Sequence, residues 1–181
     1  MRTGIKVTGL FALTSGLFIC LAWFFPGRMT GGGSVFMSNG GVVTSADMDS
    51  SGRVTHGFEL HCSTEPPALP PTPNNLEINW GLPGDRHHFH LDVLMSADCF
   101  MDTSLNAPNP PDADFNTMIG VGTGDLDGKS GATIHFTLTD QGEPGVLDTA
   151  AYLITDAGGT VVLSVDTTRL TFGNQQAHNG N

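Results

Sequence analysis

Alternation of apolar and polar residues constrains this chain more than any other feature. In RVTHGFELHC, Val54, His56, Phe58, Leu60 and Cys62 share one parity, while Thr55, Glu59 and His61 share the other. NLEINW sets Leu76, Ile78 and Trp80 against Asn75, Glu77 and Asn79. ATIHFTLT likewise sets Ala132, Ile134, Phe136 and Leu138 against Thr133, His135, Thr137 and Thr139. Successive side chains of a strand point to opposite faces, so each segment reads as a strand with one buried and one wet side. AAYLIT and TVVLSV add two more, joined across DAGG, a short hairpin turn. FNTMIGVGTG and SVFMSNGGVVTS are weaker candidates because of their glycines. STEPPALPPTPNN (63–75) and NAPNPPDAD (106–114) are proline-rich and cannot be central strands. Eight or nine short strands with polar turns between them predict an all-β fold, a single antiparallel β-sandwich of Ig-like or jelly-roll topology.

That sandwich is expected over residues 53–181, after a Gly-rich lead and N-terminal strand at 31–52. Residues 1–30 have a different character. Arg2 and Lys6 precede an uncharged apolar run from Val7 to Phe25, which ends at Pro26-Gly27. This is the layout of a secretory signal, and the run is also long enough for a retained membrane anchor. The protein is therefore expected to be secreted, or held at the cell surface. Cys20 falls in that segment and leaves Cys62 and Cys99. An even count in an oxidising compartment favours one disulfide over two separate buried thiols.

Charge narrows the partners. The formal net charge is −11, with 18 acidic residues against 7 basic ones. Such a balance excludes the polyanion-binding classes, nucleic acid and anionic lipid, and suits cation binding. Three loops place carboxylates close together: Asp47 and Asp49, then Asp125 and Asp127 before Gly128, then Asp140, Glu143 and Asp148. Calcium takes six to eight oxygens, and glycine-bent loops rich in carboxylates are suitable material. The 140–148 loop is the leading calcium candidate, because its three carboxylates must otherwise repel one another. The competing reading for every loop is an ordinary Asx-turn.

RHHFHL raises a separate possibility. If Phe89, Leu91 and Val93 form the apolar face, then His88, His90 and Asp92 share the wet one, and His87 starts the strand on the apolar side. His-x-His-x-Asp along one face can converge on zinc or copper; a solvated strand face is the alternative. His56 has core parity and reads as a buried histidine.

RVTHGFELHC, NNLEINWG, FHL, NAPNPP, SGATIHFTLTDQGEPG, VVLSV and GNQQAH together resemble a small β-sandwich domain of unknown function found in secreted and surface-bound bacterial proteins. The resemblance spans roughly residues 31–178, and it places the domain's usual cysteine pair on Cys62 and Cys99. No activity comes with it. LPGDRHH looks like extra sequence, so the resemblance assigns His87 and His88 no role.

These features favour a non-enzymatic extracellular structural protein, stabilised by calcium and self-associating into a homo-oligomer or polymer. Its lead, GGGSVFMSNGGVV, would form an edge strand or complete the sheet of a neighbouring copy. A histidine-based copper or zinc protein and a polysaccharide-binding module are the alternatives.

Overall fold

The computed structural model describes residues 27–36, 43–44, 52–63 and 73–180. Within them the chain is all-β: antiparallel strands and no helix. The strands are β1 (Arg28–Val35), β2 (Val43–Thr44), β3 (Val54–His61), β4 (Asn75–Leu82), β5 (Asp85–Phe100), β6 (Thr117–Leu126), β7 (Lys129–Thr139), β8 (Thr149–Thr155), β9 (Val161–Arg169) and β10 (Phe172–His178). They pair in the order β10-β1-β3-β4-β5-β6-β7-β8-β9-β2. All ten belong to one hydrogen-bonded ladder, in keeping with the all-β antiparallel fold expected.

The sheet is curled. β3 and β8 stand five places apart in the ladder, roughly 24 Å if the sheet were flat. Yet the rings of His56 on β3 and Tyr152 on β8 lie 5.6 Å apart. Thr171 N–H also donates to Ser34 O at 2.8 Å, tying the chain before β10 to the end of β1. The inner face collects the apolar parity of each strand: Val54, Phe58 and Leu60; Leu76, Ile78 and Trp80; Ile134, Phe136 and Leu138; Tyr152 and Ile154. Opposite the large rings β6 offers glycines. A Cβ on Gly120 would enter the Phe136 ring, and one on Gly122 would enter the Leu91 side chain.

β5 turns the corner. It runs 16 residues, with irregular register against β6 between Leu91 and Val93 and again between Leu94 and Ser96. Each irregularity resets the alternation, so Leu94 and Ala97 are buried while Val93 is 40% exposed. Val93 is therefore not part of the predicted apolar face; a bulge inserts a residue and moves the side chains beyond it to the other side. The far end of β5 returns to β3 through the Ser63–Ala97 bridge and the Cys62–Cys99 disulfide. Such a bond is compatible with an oxidising extracellular environment. No helix among the described residues is long and apolar enough to cross a membrane.

β1 departs furthest from expectation. It is not an edge strand, because it lies between β10 and β3 with register partners on both sides. It also begins at Arg28, and Met29 is fully buried, so the boundary expected after residue 30 falls inside a strand.

Candidate functional site

The histidine strand meets β4 and β6 in a register that pairs Glu77 with His90, Asn79 with His88, Trp80 with His87, and Asp125 with His90. Glu77 is the residue this register adds. Its carboxylate accepts from His88 Nε2 through one oxygen and from His90 Nδ1, at 2.5 Å, through the other. Burial acts to raise the Glu77 pKa, but the hydrogen bonds and charges of His90 and His88 outweigh it and hold the carboxyl below its ordinary value. Of the predicted His88, His90, Asp92 set, the two histidines share Glu77 as their hydrogen-bond partner. Asp92 falls at the first bulge of β5, where its place in the register is skipped. Glu77 was readable as a wet-face residue of NLEINW, but only the cross-strand register puts it between the two imidazoles.

His87 faces the other way, as its parity predicts. Its ring lies 5.2 Å from the Trp80 indole, and its Nδ1–H donates to Asp127 Oδ2 at 2.7 Å. The second Asp127 oxygen accepts from the backbone N–H of His88 at 2.7 Å. Burial would raise the Asp127 pKa, but these bonds from His87 and His88 overcome it and lower it. Asp127 and Gly128 both have positive φ, 53° and 79°, and together make the two-residue turn between β6 and β7. The turn aims the carboxylate back at β5. Asp127 is thus a positioning group for the histidine strand, whereas Asp125 sits one strand over from His90.

Beside this pair lies a cavity of about 470 Å³, floored by Trp80 and His87 and walled by Leu126 and Val162, with Lys129 and Asp156 among its lining. Its size is that of small-molecule sites. Trp80 is only 3% exposed, so it gives no open platform for a sugar ring. Asp156 is occupied by its own turn, accepting from Gly158 and Thr160 N–H at 2.9 and 2.8 Å.

The leading calcium candidates are engaged with the chain's own backbone. Asp140 and Asp148 are buried, and each of their four carboxylate oxygens accepts a backbone N–H. Asp140 takes Gly142 and Ala177; Asp148 takes Gln141 and Gln175; every distance is 2.8 or 2.9 Å. Gln175 and Ala177 belong to β10, the last strand of the ladder on that side. The two aspartates therefore hold the N–H groups that a further strand would take. Glu143 adds a third link, accepting from the Asn174 and Gln176 amides. Mutual repulsion, the motive for placing calcium here, is offset by these donors. Burial still pushes the Asp148 carboxyl up to about 6 against its two N–H bonds, with the charges of Asp140 and Glu143 adding to the rise.

His56 is buried as its parity predicts, and burial lowers its pKa to about 4. Asp47 and Asp49 lie outside the described residues. Among the described residues no group of three or more His, Cys, Asp or Glu side chains is arranged to hold a metal ion. Compared with known proteins, the chain matches no family model, no curated protein and no solved structure.

Proposed function

We propose that this protein is a secreted, non-enzymatic structural module whose copies join by exchanging β1. The supporting observation is the position of that strand. β1 is the first strand among the described residues, yet it fills an interior slot between β3 and β10. It has eight register partners on β3 and seven on β10, but only Met29 and Val35 bring apolar side chains to the core. Backbone pairing of that kind is the same whether the strand comes from its own chain or from another, which makes exchange a low-cost route to association. Val35 and its partner Val54 are separated by residues 36–53 of the sequence, a connection long enough for β1 to reach a neighbouring copy.

Addition of a strand at the sheet edges is the less favourable route. The β10 edge is covered by Asp140 and Asp148, and β9 is followed in the ladder by β2. Covered edges are how soluble sheets avoid unwanted pairing. Head-to-tail exchange leads to an open chain of copies. The acidic charge then keeps separate chains apart, and no calcium clamp is required of the 140–148 loop. The resemblance to a domain of secreted and surface-bound bacterial proteins points to the same setting.

Exchange is read by mixing. Two preparations carrying different fluorophores, unfolded together and refolded at high concentration, are expected to give energy transfer that persists on dilution. Refolding them separately and mixing afterwards should give little. Equal transfer in both cases would mean that association, if any, uses intact surfaces.

A further inference from the structure

The interior next to β1 holds polar groups that the packing does not explain. Met29 and Val35 are the buried ends of the strand's inner face, so Gly31 and Gly33 share that face by alternation. Their register partners are Gln175 on β10 and His56 on β3. The Gln175 side chain lies over Gly31, where a Cβ would come within 3.3 Å of Gln175 Cγ. With no side chains between them, Gln175 and His56 reach each other, Nε2 to Nε2, at 3.4 Å. Tyr152 of β8 closes the group from the opposite wall, its ring 5.6 Å from the imidazole.

All three residues are at least nine-tenths buried: Gln175 is 0%, Tyr152 2% and His56 6% exposed. His56 Nδ1, Tyr152 Oη and Gln175 Oε1 nevertheless find no hydrogen-bond partner among the described residues. A buried polar atom left unpaired costs about 1–3 kcal/mol, so three on neighbouring side chains would take a large share of the stability of a domain this size. An apolar replacement at any of these positions would remove the cost. Retaining a hydroxyl, an imidazole and an amide together is instead what an internal polar guest requires, since a buried water typically makes about three hydrogen bonds.

We infer that His56, Tyr152 and Gln175 form an internal binding site for water, seated over Gly31 and Gly33 between β3, β10 and β8. The guest is small and neutral and both donates and accepts. It accepts or donates at Tyr152 Oη, donates to Gln175 Oε1, and takes whichever role the His56 tautomer leaves open. The site is independent of whether β1 is exchanged between copies, because either source of β1 supplies the same glycines.

The test uses the intact protein and Tyr152→Phe, which deletes one oxygen and preserves the ring. Magnetisation transfer from water to the His56 ring protons would report a long-lived internal water. Thermal unfolding would report what the hydroxyl contributes. The expected result is a direct water cross-peak in the parent and a melting temperature lowered by a few degrees in the variant. The absence of the cross-peak, or a variant that melts at the same or a higher temperature, would overturn the inference: the hydroxyl would then be an orphan whose removal costs nothing.

Discussion

His56 and Asp148 are buried groups whose ionisation the fold resists, and they bend the pH profile in opposite directions. Asp148 moves from 3.8 to about 6 on folding. Between those values the folded chain holds the extra proton, so this group lowers stability as pH rises from about 4 to about 6. His56 moves from 6.5 to about 4. Here the unfolded chain holds the extra proton, and stability rises with pH across about 4 to 6.5. Each contributes on the order of 3 kcal/mol, so the two largely cancel in the shared window. Replacing Asp148 with Asn should unmask the histidine: its melting temperature would climb steadily from pH 4 to 6.5 while the parent's stays nearly level. Parallel profiles for the two would show that burial of Asp148 does not raise its pKa. The parity of RVTHGFELHC made the burial of His56 legible. Nothing in TDQGEPGVLDT distinguished a carboxylate that binds amides from one that binds a cation, because both need a glycine-bent loop with oxygens at short intervals.

At the scale of elements, the strands that could be read were those whose buried face is apolar. β3 and β4 follow their predicted parity residue by residue, and β7 follows it from Ala132 to Leu138, with Thr139 at its end buried instead of wet. β10 was not legible as a strand, since its buried positions are Gln175 and Ala177 and its sequence, FGNQQAH, has no apolar alternation. What holds it is pairing to β1 and the carboxylates of Asp140 and Asp148, which are remote in sequence. The bulges of β5 were hidden for a related reason, as they depend on how β6 lies alongside. The role given to the 140–148 loop makes a direct claim about β10. Asp140→Ala should destabilise the protein by about 2–3 kcal/mol and speed hydrogen exchange at the Ala177 amide well beyond that at β7 amides. Uniform acceleration through the sheet, or none at Ala177, would separate the loop from the edge it is held to protect.

At the scale of the molecule, one ladder of antiparallel strands curls until β3 faces β8, and the Cys62–Cys99 disulfide joins the two ends of the bend. Alternation predicted strands with one buried face but not whether they would pair as one sheet or two, since both bury the same residues. β1 occupies the slot that completes the sheet, and association by exchange stands or falls on whether it can leave. Thr30 and Glu59 are register partners on β1 and β3, both only partly buried, and suit a cross-strand disulfide. Sedimentation velocity on the parent and on Thr30→Cys/Glu59→Cys oxidised while dilute, each refolded at high concentration, with calcium and with chelator, measures this most directly. Oligomers in the parent under both conditions, with only monomer in the locked variant, are expected. A parent that is monomeric throughout, or a locked variant that associates equally well, would contradict strand exchange as the function of β1.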